Sequence, residues 1–238
     1  MAGYEFGSKY LLEGYHHSRR LQLMLYFLSK LGHNLLVLDA GCGEGVQAKR
    51  ISEKNKVVGV DVSRMRIQRA RRNVPEGSFI IGDLNCLPFR GRIFDVSVLG
   101  EVLEHLRKPN AVLKQISRVL AHDGHLILDI PSKSNIIDMF LRALGRKPIW
   151  GLRIDMEHVT FYDEVSMRRL LRSACFQVLD IRGGPCIRYD FPFVPFLGSL
   201  TWNRRGWWFF KITDKIFGSI PVIRRKGAIQ VYMCEKLE

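Results

Sequence analysis

Long apolar runs and paired cysteines are both missing from this sequence of 238 residues. No uncharged apolar stretch approaches the roughly 18 residues that a membrane-spanning helix needs. The five cysteines are odd in number and widely spread, without a CxxC pair or zinc-ribbon spacing, which argues against a disulfide framework and a cysteine metal site. We therefore expect a cytoplasmic protein that is soluble or associated with a membrane only peripherally.

Acidic residues are also scarce, since 23 Asp and Glu stand against 37 Lys and Arg and leave a net charge of +14. A basic field raises the local concentration of nucleic acid, anionic lipid or an acidic substrate. The positive residues are scattered along the whole chain, so a surface that serves solubility alone explains the charge equally well.

Short apolar or β-branched runs alternate with polar and amphipathic segments, which predicts βαβ units around a buried parallel sheet. The apolar residues of 109–120 fall at helical spacing, so this segment is expected to be a helix that covers the sheet. A further helix is predicted over 163–174. The predicted strands are 35–38, 57–60, 79–81, 94–99, 125–130, 176–181 and 228–234.

Two segments extend beyond this alternation. Residues 1–34 carry Tyr10, Tyr15, His16 and Arg19 on a helical pattern, which fits a helical lid or a surface helix without ligand contact. Residues 184–226 form a basic insert rich in proline, tryptophan and phenylalanine, and this composition favours a cap over an apolar substrate or a segment that docks on anionic lipid. Packing on the core and a dimer interface are the alternatives.

A glycine-rich turn, Asp39-Ala40-Gly41-Cys42-Gly43-Glu44-Gly45, follows the first predicted strand. Glycine lets the backbone approach a ligand closely, and the helix that follows offers free N–H groups to an anionic group. The third glycine comes one residue too early for GxGxxG, and the Gly-Lys-Ser/Thr of a phosphate loop is absent. The turn therefore predicts a nucleotide-like ligand that lacks a pyrophosphate or a triphosphate.

Acidic residues follow the next two predicted strands. Asp61 comes 20 residues after Gly41, where a carboxylate can accept both ribose hydroxyls, and Asp83 follows the third strand. These side chains converge on the crevice in which open α/β sheets bind ligands. Alternatively, either aspartate caps the helix that follows it.

These motifs resemble those of the class I methyltransferases that use S-adenosylmethionine (SAM), and most closely the small-molecule branch that includes ubiquinone and menaquinone biosynthesis enzymes. The resemblance covers roughly residues 35–182. It rests on Val37-Leu38-Asp39-Ala40-Gly41-Cys42-Gly43, Gly59-Val60-Asp61-Val62-Ser63, Gly82-Asp83-Leu84, and Phe94-Asp95-Val96 leading to Glu101-Val102-Leu103-Glu104-His105-Leu106.

The resemblance implies a Rossmann-like, doubly wound α/β sheet of seven strands, mostly parallel with an antiparallel last strand. Residues 35–238 would then form one methyltransferase domain that includes the insert. In the family the glycine turn holds the methionyl part of SAM, the acid after the second strand the ribose, and the acid after the third strand the adenine. The implied cofactor-binding residues are Asp39, Ala40, Gly41, Cys42, Gly43, Asp61, Val62, Asp83, Leu84 and Glu101.

His105 and His158 are the candidate catalytic bases, because histidine exchanges protons near neutral pH. The alternative is that either histidine orders its own loop by hydrogen bonding. Glu101, Glu104 and His105 have i, i+3, i+4 spacing and would share a helical face, with His158 able to complete a divalent metal site. Because the same string occurs in relatives with no known metal, we predict no metal.

The expected acceptor is a small apolar or amphipathic molecule, such as a quinone, a lipid or a glycolipid. Nucleic acid is the rival partner, but the position after the fourth strand reads Gly100-Glu101-Val102-Leu103, which fits neither base amino methylation nor cytosine C5 methylation. A protein that only binds SAM is a second rival without a sequence feature in its favour. The chain is expected to be a monomer or a homodimer.

Overall fold

The computed structural model describes residues 8–132, 145, 159, 160, 162–184, 225 and 229–238, with side chains described from residue 19 onwards. The chain divides into two compact units. One comprises Met1–Leu23, Ser132–Ile154 and Arg182–Gln230, and the other Met24–Pro131, Asp155–Ile181 and Val231–Glu238. The second unit contains most of the described residues and all the side chains of the site considered below.

Seven strands form a single sheet in the order β3-β2-β1-β4-β5-β7-β6. Strands β1 to β5 pair in parallel, and the prediction of a mostly parallel sheet with an antiparallel last strand is confirmed. The order reverses beside β1, where the crevice of an open sheet forms. The strands are β1 (Leu36–Ala40), β2 (Lys56–Asp61), β3 (Ser78–Ile81), β4 (Phe94–Gly100), β5 (Leu120–Pro131), β6 (Phe176–Gly184) and β7 (Ile229–Lys236).

Helices connect these strands and cover the sheet. In the predicted helix α4, Val112, Leu113, Ile116 and Val119 are buried against it. The side chain of Asp163 accepts from the backbone of Ser166 in a capping box that begins α5. The helices are α1 (Ser8–Leu31), α2 (Val46–Ser52), α3 (Arg64–Asn73), α4 (Pro109–Val119) and α5 (Glu164–Ser173), and two 3₁₀ turns are η1 (Leu84–Cys86) and η2 (Leu103–His105).

Strand β5 differs from its predicted bounds, since it begins at Leu120 and not at residue 125. Leu120 pairs with Phe94, and the register then shifts before His125 pairs with Val96. The backbone carbonyl of Val119 accepts from Ile93, so the last turn of α4 is tied to the start of β4. The helix predicted over 109–120 therefore ends one residue earlier, at Val119, because strand pairing captures Leu120.

The predicted lid and the predicted insert are described only in part. Residues 8–31 are helical as expected, but the side chains of Tyr10, Tyr15 and His16 lie outside the described residues. Of the insert 184–226, only positions 184 and 225 are described. None of the described helices is long and apolar enough to cross a membrane.

Candidate cofactor site

The glycine turn leaves β1 with three glycines at positive φ, namely Gly41 at 80°, Gly43 at 52° and Gly45 at 82°. The N–H groups of Gly41 and Cys42 both donate to the carbonyl of Val60 in the neighbouring strand, at 2.8 and 3.1 Å. A Cβ on Gly41 would lie 2.5 Å from Cγ2 of Val102, whereas one on Gly43 would meet nothing within 4 Å. The first glycine is thus required for packing as well as for conformation.

Two side chains beneath this turn are buried. Asp39 is 1% exposed and accepts from Nε2 of Gln47 at 2.9 Å, which ties the end of β1 to α2. Burial raises the pKa of the Cys42 thiol, and the carboxylates of Asp39 and Asp61 add to the shift. Because the thiolate is the reactive form, this neutral thiol is unsuited to act as a nucleophile.

The carboxylate of Asp61 links β2 to the glycine turn. Its Oδ2 accepts from the N–H of Gly43 at 3.0 Å, and its Oδ1 accepts from the N–H of Ser63 at 2.8 Å. Ser63 rather than Asp61 caps α3, since its Oγ accepts from the N–H of Arg66. Each carboxylate oxygen can accept a second hydrogen bond, so Asp61 is held rigidly with acceptor capacity to spare.

Asp83 does act as a cap, the alternative that its position allowed. Its Oδ1 accepts from the backbone N–H of Asn85 at 2.8 Å and from the Asn85 amide at 2.9 Å, at the start of η1. These bonds favour the ionised form and hold the pKa of this carboxyl below its usual range. Capping does not remove Asp83 from the site, because it also lines the cavity described next.

A cavity of about 500 Å³ opens at the carboxyl ends of β1 to β4, within the range typical of ligand pockets. Seven of the predicted cofactor and catalytic residues line it: Gly41, Asp61, Val62, Asp83, Leu84, Glu101 and His105. Four others, Asp39, Ala40, Cys42 and Gly43, are not among its lining residues. The structure therefore brings together the ends of four strands that are distant in sequence.

Sequence reasoning did not assign a role to five further lining residues: Arg66, Gly82, Gly100, Val102 and Leu106. All but Arg66 belong to motifs that the sequence had already marked. Arg66 lies in the first turn of α3, three residues after Ser63, and it adds a positive charge to a wall that is otherwise acidic. The first turn of the helix after Asp61 is the signal that could have identified it.

Glu101 occupies a strained conformation at the end of β4, with φ of 54°. Its backbone N–H donates to Oδ1 of Asp129, a carboxylate that is 1% exposed on the adjacent strand β5. A residue other than glycine in this region costs about 1–2 kcal/mol. Such strain is typical of functional sites, where the surrounding structure holds a side chain in place.

The segment after Glu101 is not the α-helical face that its spacing predicted. Leu103–His105 forms a 3₁₀ turn that places Glu104 inside, 1% exposed, and leaves His105 exposed at the cavity. Among the described residues no cluster of three or more His, Cys, Asp or Glu side chains is arranged to hold a metal ion.

His158 lies outside the described residues. The backbone N–H groups of Val159 and Thr160, which follow it, both donate to the carbonyl of Glu104, at 2.9 and 3.1 Å. The chain that leaves His158 is therefore fixed to the same 3₁₀ turn that carries His105.

Residues 38–128 match the family model described as a methyltransferase domain. Over these residues the chain contains a methyltransferase domain, and its sequence relatives include proteins described as probable S-adenosylmethionine-dependent methyltransferases. All the residues that line the cavity fall inside the matched segment of this domain.

Known proteins resemble the methyltransferase domain in sequence and in fold. The chain is 30% identical over 95 residues to a demethylmenaquinone methyltransferase of Thermotoga maritima, which covers 39% of this chain and 42% of that protein. It is 25% identical over 156 residues to a ubiquinone biosynthesis O-methyltransferase of Idiomarina loihiensis, covering 62% and 63%. The magnesium protoporphyrin IX methyltransferase of Synechocystis, solved with bound S-adenosylhomocysteine, superposes with a TM-score of 0.62 at 16% identity, covering 99% of this chain and 90% of that one.

The chain covers less than two thirds of the length of the curated relatives it matches, from 29% to 63%. The methyltransferase domain is therefore shared, whereas the activity of the whole protein belongs to the proposal that follows.

Proposed function

We propose that this protein transfers the methyl group of SAM to a small apolar or amphipathic acceptor. The observation that carries the proposal is the position of Asp61, whose carboxylate is bonded to the glycine turn and lines the cavity of about 500 Å³. A carboxylate fixed in this way is a suitable acceptor for ribose hydroxyls. The acceptor class rests on the quinone-modifying relatives and on the aromatic insert.

The charge of the cavity fits this cofactor. Bound SAM would supply a methyl group already activated on a positively charged sulfonium. Asp61, Asp83 and Glu101 line the cavity with carboxylates that favour a cationic ligand, while Arg66 is placed to meet an anionic group. Because the methyl group is activated, the protein has mainly to orient the acceptor and exclude water.

His105 is the proposed base for an acceptor that must lose a proton, with His158 as the second candidate. His105 is exposed at the cavity wall, where its ring can reach an acceptor hydroxyl or carbon acid. The next residue after His158 is bonded to the carbonyl of Glu104, so both histidines belong to segments joined at one turn.

Peripheral binding to an anionic membrane remains our prediction for residues 184–226. Within the described residues, helix α3 supports it, because five of its ten residues are arginine and none is acidic. Arg66 of this helix lines the cavity, so the arginine-rich helix adjoins the site. Co-sedimentation with phosphatidylglycerol vesicles, but not with phosphatidylcholine vesicles, is expected; no pelleting with either would contradict the membrane prediction.

The activity is tested by a transfer assay with labelled SAM and a panel of quinones, lipids, glycans and RNA. We expect labelled product with an apolar or amphipathic acceptor, and loss of the label in Asp61→Ala. Asp123→Ala is the matched control, since Asp123 is exposed in β5 away from the cavity. If RNA alone became labelled, and its binding fell steeply with salt, the acceptor would be RNA and not a small molecule.

The base is tested with His105→Gln, and His122→Gln serves as the matched control because His122 is exposed outside the cavity. For a hydroxyl acceptor, a well-placed base contributes roughly 10²- to 10⁴-fold to the rate. The His105 variant should lose this contribution to the rate, whereas the His122 variant should keep it. An unchanged rate in the His105 variant would transfer the role to His158.

A further inference from the structure

A second cavity, of about 480 Å³, lies near the amino end of β4, whereas the cofactor cavity lies at the carboxyl end of the same strand. Its wall includes Arg92, which precedes β4, whereas Glu101 of the cofactor cavity follows β4. The seven residues of β4 separate the two openings by about 20 Å at the usual rise of about 3.3 Å per residue. A ligand in this basic cavity would therefore not touch the cofactor.

Four cations converge on the basic cavity, and none of the described residues that line it is acidic. Lys114 and Arg118 come from successive turns of α4, Arg92 from the turn before β4, and Lys236 from the end of β7. The hydroxyl of Ser117 lies on the same wall. Within the part of the chain that the structure describes, the salt bridges join other residues, namely Arg50 with Glu53, Arg69 with Glu44 and Arg168 with Glu164.

Two of the cations already hold the backbone, but only through neutral acceptors. Arg118 donates to the carbonyls of Phe89 and Leu87 at 2.8 and 2.9 Å, and Lys236 donates from Nζ to the carbonyl of Leu120 at 2.9 Å. These bonds fix the positions of the charges without cancelling them. An ammonium group has three N–H donors, so Lys236 keeps two for another acceptor.

The cations also act on each other. Burial lowers the pKa of Lys236, and the positive charge of Arg92 lowers it further. A bound anion would offset both effects, because it would replace lost hydration and separate the like charges.

Arg92 holds its charge on a strained backbone, with φ of 63°. Glycine would adopt this conformation more easily than arginine, but the nearest glycine, Gly91, occupies the preceding position. Stabilisation of a helix C-terminus explains a cation in the last turn of α4, such as Arg118. It does not explain Arg92 or Lys236, which lie on no helix.

We propose that the basic cavity binds a small phosphate-bearing anion, at a site separate from methyl transfer. The phosphate oxygens accept from the guanidinium of Arg92, the ammonium groups of Lys114 and Lys236, and the hydroxyl of Ser117. Free phosphate and the phosphomonoester of a small metabolite share this chemistry, and the cavity has room for either.

The test is calorimetric titration of the full chain at constant ionic strength with inorganic phosphate and, in parallel, with glycerol 3-phosphate. Saturable binding of either probe at millimolar concentration or below is expected. Tighter binding of glycerol 3-phosphate would assign the site to a phosphomonoester, and equal or tighter binding of inorganic phosphate to the free ion. Absence of saturable binding with both probes would overturn the proposal.

Two variants avoid the cations that hold the backbone. Arg92→Gly removes a charge and suits the positive φ, and Lys114→Gln removes a second exposed charge. Each should weaken phosphate binding at least tenfold while the affinity for SAM is unchanged. Arg90→Gln is the matched control, since Arg90 is exposed two residues from Arg92 but does not line the cavity. An equal loss of phosphate affinity in the Arg90 variant would mean that phosphate responds only to the general positive charge of the protein. That result would overturn the proposed site.

Discussion

The contact between Gly41 and Val102 can be tested as a double-mutant cycle on folding stability. In Gly41→Ala, the positive φ of 80° costs about 1–2 kcal/mol. The new Cβ, placed 2.5 Å from Cγ2 of Val102, adds a steric penalty of about 1–3 kcal/mol. Gly43→Ala is the matched control, because its φ of 52° carries a similar strain and its Cβ meets nothing within 4 Å.

The assay is urea unfolding of the four chains of the cycle together with the Gly43 variant. Gly41→Ala should lower the free energy of unfolding by about 1–3 kcal/mol more than Gly43→Ala does. Adding Val102→Ala should recover most of that difference, because it removes the methyl group in conflict. SAM affinity should fall and recover in parallel, since Val102 lines the cofactor cavity.

Equal destabilisation by the two alanine variants would refute this reasoning. So would a cycle that is additive to within about 0.5 kcal/mol, the behaviour of residues that do not touch. Either result would mean that Val102 does not pack over Gly41.

Three further predictions concern the acidic residues of the cavity. Asp61→Asn should weaken SAM binding about tenfold or more by calorimetry. Each carboxylate oxygen accepts a hydrogen bond from a backbone N–H, so the amide nitrogen of asparagine would place a donor against a donor at one of these two positions. Unchanged affinity would contradict the role of Asp61. Glu101→Gly should be about 1 kcal/mol more stable to urea than Glu101→Ala, since only glycine accepts φ of 54° without strain; the opposite order would contradict the strain. Asp83 should remain ionised below the usual range of aspartate, because hydrogen bonds from Asn85 lower its pKa in the folded state. Its contribution to stability is therefore present above the unfolded-state pKa and is lost as the pH falls through the pKa of the folded state. The measurement is a carboxyl NMR titration of the wild type, with Asp83→Asn to assign the signal. A pKa for Asp83 in the usual range of aspartate would refute the prediction.

Much of the fold was predictable because the information is local. Alternating apolar runs gave the strands of the parallel sheet, and the helical spacing of 109–120 predicted α4 to within one residue. Glycine at positions 41, 43 and 45 predicted a turn after the first strand, and all three adopt a positive φ there. The mostly parallel sheet of seven strands with an antiparallel last strand was implied by the resemblance to methyltransferases, whereas the order of the strands was not predicted.

The missed features depend on tertiary contacts. The spacing of Glu101, Glu104 and His105 predicted a shared helical face, but a 3₁₀ turn buries Glu104 and exposes His105. Strand pairing with Phe94 extends β5 back to Leu120, which no local pattern indicated. Likewise, nothing in the sequence showed that Arg92 and Lys236, 144 residues apart in number, line one cavity.

Calorimetric titration with SAM tests the central claim most directly. Saturable binding to the wild-type chain and to Asp123→Ala is expected, with binding lost or weakened at least tenfold in Asp61→Ala. This order of SAM affinities is expected because the carboxylate of Asp61 lines the cofactor cavity and is held there by the N–H groups of Gly43 and Ser63. No binding of SAM to the wild-type chain at millimolar concentration would contradict the account.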